Sequence, residues 1–312
     1  MSDNLPMAVH APLTRAQKTA LLNLVRRAAK AEILPRFRAL DPSDIVEKTS
    51  KLDLVTAADE AAEAMITRGL QMAFPAAVIV GEEAASRDPK ILDALDDAEL
   101  GFLIDPVDGT WNFAHGLSLF GTMVAATRFG QPVYGLIYDP LNDDVVTADE
   151  DTLTQWTGPR GRRRTLTTAE AKPLSEMVGY IHLKLMPEDV QPQVAALYPQ
   201  IGRPDALRCS AHEYRLLAEG HCDFVLSCKM TPWDHAAGVI LCQKAGGHVG
   251  FLDGRDYSVA HREGYLLCAG SEAAWKTVAE ALGFLVETPA EESEKADTAS
   301  ADTASKDQPA SA

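Results

Sequence analysis

Positive charge is what this chain has least of for its size. Against 45 Asp and Glu it sets 29 Lys and Arg, a formal net charge of -16 over 312 residues. A general affinity for nucleic-acid polymers or acidic lipid is therefore not expected, because phosphates are gripped by Lys and Arg. A local cationic pocket stays open. Paired thiols are lacking too. Cys209, Cys222, Cys228, Cys242 and Cys268 form an odd set with no CxxC, which reads as reduced thiols and makes the cytoplasm the expected compartment. No apolar run approaches the roughly 18 residues of a membrane span. The opening MSDNLPMAVHAPLTRAQKTA has no apolar segment behind a basic start, so no secretory signal is expected. The eight histidines form no HExxH, and no GxSxG elbow or GxxxxGK[ST] loop occurs. Zinc-protease, serine-hydrolase and P-loop chemistry thus lack their parts. HCDFVLSC resembles the start of a cysteine-phosphatase loop, but the Arg required six positions after its first Cys is Cys228.

What is present is a 46 % hydrophobic soluble chain, enough for one large domain or two moderate ones. Residues 1–12 read as a flexible start. Thr14 then caps a helix in which Leu21, Leu22, Val25, Ala28 and Ala29 recur at helical spacing. Thr56 caps a second helix, with Asp59 in its first turn, where a carboxylate suits the helix dipole. AAVIVGEE and LGFLID read as strands, followed by an antiparallel meander through SLFGTMVAATRFG, QPVYGLIYDP and DDVVTADE. The basic connector GPRGRRRTL reads as a solvated loop and marks a boundary between halves at 13–158 and 159–286. In the second half, strands at MVGYI, HCDFVL and GYLLCAG alternate with helices at SAHEYRLLAEG, DHAAGVILCQKAGG and SEAAWKTVAEALGF, as α/β layering requires. From Glu287 the chain carries seven acids against two lysines and repeats ADTAS; 287–312 reads as a disordered acidic tail.

Three stretches place acids where a strand meets a turn or a helix begins: Glu82 and Glu83 after AVIV, Asp105 and Asp108 after FLI, and Asp234 in TPWDHAAG. In layered α/β folds ligand sites gather at such strand ends. Carboxylates converging there repel one another unless a cation is present, and an all-oxygen shell suits Mg²⁺ or Mn²⁺ better than Zn²⁺. Gly109 and Thr110, if a helical turn begins there, offer free amides to a phosphate oxygen. Metal together with an anion cradle implies phosphoryl transfer.

GEE at 81–83, DPVDGTWNF at 105–113 and WDHAAG at 233–238, with KTSKLDLVTAADE at 48–60 upstream, together resemble the inositol monophosphatase family of lithium-sensitive, Mg²⁺-dependent sugar phosphatases. The likeness runs from about Thr14 to Phe284. It implies an α+β fold, the layered αβαβα sandwich of the sugar-phosphatase type, often as a homodimer. It also implies a phosphomonoesterase acting on a small phosphorylated metabolite by direct attack of water, with two or three Mg²⁺ ions, Mn²⁺ as a substitute and Li⁺ as an inhibitor. By resemblance, Glu82, Asp105 and the Val107 carbonyl would hold a first metal, and Asp105, Asp108 and Asp234 a second. Thr110, oriented by Asp59, would help deprotonate water. The amides of Gly109 and Thr110 would meet phosphate, and Lys48 would lie on a mobile loop nearby.

The substrate side departs from the family pattern. Where inositol-preferring relatives carry a Glu seven residues before the WD aspartate, this chain has Ser227, and the usual Gly-Ser/Thr-Ala is Cys209-Ser210-Ala211. These residues, with Asp108, Asp234 and Lys229, are the expected substrate contacts, and the Lys229 ammonium is placed to meet a second phosphate. Fructose 1,6-bisphosphate, histidinol phosphate and 3'-phosphoadenosine 5'-phosphate therefore stand as alternative substrates. Trp111, Asn112 and Phe113 read as packing, His115, His212 and His235 as structural, and Glu83 as either a supporting or a solvated acid. A binding protein that keeps the metal site without turnover, using its tail as an interaction arm, is the rival from another class.

Overall fold

The computed structural model describes residues 13–51 and 53–286. The flexible start and the acidic tail expected from composition lie outside the described residues. Thr14 opens α1 (Arg15–Ala28) through a capping box with Gln17. A hairpin of β1 (Ile45–Ser50) and β2 (Asp53–Thr56) follows, and a second capping box, Thr56 with Asp59, opens α2 (Ala57–Ala73). The first half continues with β3 (Val78–Gly81), α3 (Glu82–Arg87), β4 (Gly101–Asp108), α4 (Thr110–Ala114), β5 (Gly121–Arg128), β6 (Gln131–Asp139), β7 (Asp144–Asp149), β8 (Thr152–Thr157) and β9 (Arg163–Thr165). Then come β10 (Val178–Ile181), α5 (Gln191–Leu197), β11 (Arg203–Asp205), α6 (Ser210–Ala218), β12 (Phe224–Ser227), α7 (Pro232–Lys244), β13 (His248–Phe251), β14 (Leu266–Ala269) and α8 (Glu272–Ala281).

The strands form a seven-stranded sheet in order β3-β4-β5-β6-β7-β8-β9 and a five-stranded sheet in order β11-β10-β12-β14-β13. Alternation of side chains along each strand explains how these sheets become layers. Phe102, Ile104, Val124 and Leu136 share a core with Leu21 and Val25 of α1 and Ala62 and Ile66 of α2. Leu103, Met123 and Ile137 point the other way, into a core with Tyr214 and Leu217 of α6, Val239 and Leu241 of α7, and Tyr180, Val225 and Cys268 of the second sheet. The outer face of that sheet, through Ile181, Phe224, Leu226 and Leu267, packs on Val194 of α5 and Ala274 and Val278 of α8. Helices, sheet, helices, sheet, helices is the αβαβα order. Each fully buried Leu, Ile or Phe adds roughly 1.5–3 kcal/mol to this arrangement.

One local reading of the sequence is corrected, and three strands it does not announce are added. The connector GPRGRRRTL is not wholly a loop: Arg163–Thr165 pairs with β8 as the edge of the larger sheet, where Arg164 lies over the Trp156 ring and pairs with Glu219. The strands β8, β11 and β13 carry too few apolar residues in too short a run to announce themselves. All five cysteines are free thiols, four of them buried. Among the described residues no helix is long and apolar enough to cross a membrane.

Candidate metal and phosphate site

LGFLID does not end where the aspartates begin. Strand β4 runs on to Asp108, and its pairing with β5 shifts register between Asp105 and Asp108, the partners being Met123 and Gly121. Three residues apart on a regular strand, two side chains face opposite sides. The one extra residue of this bulge restores the parity, so both aspartates face α6 and α7. Pro106, which has no amide to give a ladder, sits in the bulge, and the Thr122 hydroxyl donates to its carbonyl at 2.9 Å. This is the structural reason for the spacing of the two aspartates.

One oxygen each from Asp105, Asp108 and Asp234 lies within 4.8 Å of the others. Asp105 is 1 % exposed and its Oδ1 has no hydrogen-bond partner among the described residues. A buried carboxylate oxygen left unpaired is costly, and burial pushes the Asp105 carboxyl well above the ordinary range, with Glu82, Asp108 and Asp234 adding repulsion. Burial likewise pushes Asp108 up to about 7 and Glu82 up to about 8. Hard oxygen donors with an orphaned atom among them fit a hard divalent cation such as Mg²⁺ or Mn²⁺.

The elements around the cluster hold each ligand in place. The Ala211 amide at the start of α6 donates to Asp108 Oδ2 at 2.6 Å, and the Cys209 thiol donates to the same oxygen at 3.0 Å. The thiol is the physical consequence of Cys standing where glycine is usual. Thr231 Oγ1 donates to Asp234 Oδ2 at 2.5 Å. Glu82 opens α3 but is not part of the three-aspartate cluster; its Oε1 accepts from Lys48 Nζ at 2.9 Å, and Lys48 also reaches Glu83 Oε1 at 2.7 Å. Lys48 lies within strand β1, not in a loop. Glu83 is 3 % exposed and paired, so it is a supporting acid and not a solvated one.

Thr110 sits at the first turn of α4, with Gly109 before it at φ 84°. A Cβ at Gly109 would meet the Leu119 carbonyl at 2.8 Å, which with the left-handed backbone explains the glycine. The Thr110 hydroxyl lies 3.0 Å from Asp59 Oδ1 and 3.0 Å from the Val107 carbonyl, and can give its proton to either. Asp59 is fully buried, and burial pushes its carboxyl up to about 7.

The structure also places residues that the sequence reading passed over. Glu63 accepts the Glu83 amide at 2.7 Å and the Ala84 amide at 3.0 Å, tying α2 to the start of α3. Gly81 leaves room for that carboxyl, since a Cβ there would lie 2.2 Å from it. The signal was legible in principle: Asp59 and Glu63, four apart, border the apolar row Ala58, Ala62, Ile66. His182 and Glu213 form a part-buried pair at 2.7 Å that joins two segments distant in the chain, for which no spacing gives warning. Ser210, Ser227 and Lys229 do come together, lining one cavity with Asp234 and His182. Among the residues read as structural, Asn112 Nδ2 donates to the Leu119 and Leu207 carbonyls, and Trp111 is stacked by His115 and covered by Arg208. His212 meets the Phe120 carbonyl, and His235 lies between Tyr214 and the Lys229 carbonyl.

Comparison with known proteins agrees with this architecture. The sequence model of the inositol monophosphatase family matches residues 15–287. The Nus factor SuhB of Vibrio cholerae is 26 % identical over 76 % of this chain and 87 % of its own length. The inositol-1-monophosphatase of Bacillus subtilis is 28 % identical over 76 % of this chain and 86 % of its own. Among solved structures, an IMPase of Thermotoga maritima superposes with a TM-score of 0.71 at 23 % identity, covering 86 % of this chain and 99 % of that one.

Proposed function

Because the chain belongs to the inositol monophosphatase family, and so is a phosphoric monoester hydrolase, we propose that it is Mg²⁺-dependent and hydrolyses a small phosphate ester by direct attack of water. The observation that carries this reading is the Asp105–Asp108–Asp234 cluster with its orphaned Asp105 oxygen. Asp105, Asp108 and Asp234 would hold one ion, and Asp105, Glu82 and the Val107 carbonyl another. When bound, the ions supply positive charge that offsets charge on the phosphoryl oxygens and makes a nearby water more acidic.

The protein's own groups supply the rest. The ionised Asp59 carboxylate accepts the Thr110 proton, which leaves the Thr110 lone pairs free to accept from the attacking water. The amides of Gly109 and Thr110, at the start of a helical turn, face the phosphate. With their oxygens committed to cations, the aspartates are not nucleophiles, so no phosphoenzyme forms. The Lys48 ammonium is shared between Glu82 and Glu83, and Glu82 must leave it, at least in part, to serve a cation. On the same reading the active form is a cytoplasmic homodimer, inhibited by Li⁺.

Ser227 is 7 % exposed and cannot accept two ring hydroxyls as a carboxylate does, so inositol 1-phosphate is not singled out as substrate. The test is phosphate release from inositol 1-phosphate, fructose 1,6-bisphosphate, histidinol phosphate and 3'-phosphoadenosine 5'-phosphate, each with Mg²⁺ and with chelator. Release from at least one ester that chelator stops supports the reading. Release from none, or release indifferent to chelator, overturns it.

A further inference from the structure

Beside Asp234 the cavity is lined by His182, Ser210, Ser227, Lys229 and His235. The two histidines differ in what they can offer. Both nitrogens of His235 are engaged, Nδ1 with the Tyr214 hydroxyl at 3.1 Å and Nε2 with the Lys229 carbonyl at 2.7 Å. His182 uses only Nε2, 2.7 Å from Glu213 Oε2, and among the described residues Nδ1 has no partner. The ring remains 14 % exposed, while Glu213 is wholly buried. The other Glu213 oxygen accepts the Leu207 amide at 2.8 Å. A carboxylate sealed in this way is an expensive support, and what it braces is an imidazole with one free nitrogen lining the cavity.

The geometry points to His182, braced by Glu213, acting with Lys229 as a subsite for an anionic group on the leaving-group part of the substrate. This rests on the phosphomonoesterase reading and narrows its substrate class to small phosphate esters bearing a second phosphate or a carboxylate. Donation of Nε2–H to Glu213 fixes the ring before any ligand arrives, and the protonated ring then presents Nδ1–H as a donor. Burial disfavours the charged ring, but the Glu213 carboxylate, with Asp108 and Asp234 adding to it, holds the His182 pKa above its ordinary value. The His182–Glu213 pair is neutral overall and Asp234 belongs to the cation site, so the positive charge offered to an anion comes from Lys229, which is exposed at the cavity. Ser227 completes the arrangement by what it lacks: a carboxylate there would repel a second anion.

Two pairs of esters test the subsite and distinguish the anion: fructose 1,6-bisphosphate against fructose 1-phosphate, and 3-phosphoglycerate against glycerol 3-phosphate. With Mg²⁺, the wild type should show a KM lower by about tenfold or more for the anionic member of at least one pair, the scale of a charge-assisted hydrogen bond. Lys229→Ala and His182→Gln should each shrink that KM ratio several-fold, with kcat moving less than KM. Glu213→Gln can still accept the Leu207 amide and donate to Nε2, leaving a neutral ring with Nδ1–H, so its loss should fall between wild type and His182→Gln. The rise in melting temperature on adding each ester should rank the proteins in the same order without reliance on turnover. If His182→Gln does not fold, Lys229→Ala decides. A KM ratio near one in the wild type, or a ratio that survives Lys229→Ala and His182→Gln intact, overturns the subsite while leaving the phosphatase reading in place. Hydrolysis of no ester at all overturns the phosphatase reading itself.

Discussion

Replacing Asp59 by Asn separates two tasks that one carboxylate performs. Asp59 Oδ2 accepts from the Thr56 amide at 2.9 Å and from the Thr56 hydroxyl, closing the capping box of α2, while Oδ1 accepts from Thr110 at 3.0 Å. An amide can keep its oxygen on the Thr56 side, so the cap survives and the stability loss stays below the 0.5–2 kcal/mol or so typical of removing a cap. Its NH₂ then faces Thr110 as a donor. The Thr110 proton is turned to the Val107 carbonyl, and its lone pairs meet the amide instead of the attacking water. Loss of general-base assistance costs about 10²–10⁴ in rate, so kcat should fall by that factor with KM little changed. The substitution carries a second signature. Burial raises Asp59 to about 7, so between the unfolded value near 4 and that value the folded chain binds a proton that the unfolded chain does not. This stabilisation is full in acid and is lost as pH rises through about 7, up to roughly 4 kcal/mol for a shift of about three units. Metal-free wild type should therefore unfold more readily at pH 8 than at pH 5, and Asp59→Asn should flatten that slope. Denaturant melts and steady-state kinetics read both effects. A variant retaining kcat within about threefold of wild type would refute the role given to the Asp59–Thr110 pair.

The same linkage applies to Asp105, Asp108 and Glu82, whose pKa values are all raised by burial. Mg²⁺ binding near pH 6.5 should accordingly release at least one proton, and the release should diminish by pH 9; calorimetry in buffers of different ionisation enthalpy measures it. Gly109→Ala should lower the melting temperature and cut turnover, because it strains a φ of 84° and drives a Cβ against the Leu119 carbonyl; an unchanged melting curve would contradict that packing. Glu63→Gln keeps one acceptor for the two amides at the start of α3 but loses the other, so activity should fall further than stability, as comparison of kcat/KM with Tm would show.

The sequence was most legible where chemistry leaves short local patterns. Capping boxes at Thr14 and Thr56, the buried run of β4, and the aspartates at 105, 108 and 234 are all written in a few adjacent residues. The meander was legible because strands of eight or nine residues, such as β5 and β6, are long β-rich runs set apart by turn residues at Gly130 and Asn142-Asp143. What could not be read depends on contacts between distant segments. The bulge at Pro106 shows only when β5 is laid beside β4. The Lys48 bridge to Glu82 and Glu83 spans 34 and 35 residues, and the His182–Glu213 pair spans 31. Cys209 looked like a departure from a pattern; only the fold shows its thiol taking up a bond to Asp108.

The central claim is that Asp105, Asp108 and Asp234 are the cation site on which phosphate release depends, and Asp105→Asn tests it most directly. The substitution removes a charge from the middle of the cluster without changing its shape. Phosphate release in saturating Mg²⁺ should fall by more than about 10³-fold. Calorimetric Mg²⁺ binding should weaken in parallel, while the melting temperature of the metal-free protein stays the same or rises because the amide carries no buried charge. Turnover in the variant within tenfold of wild type, with Mg²⁺ binding intact, would contradict the assignment.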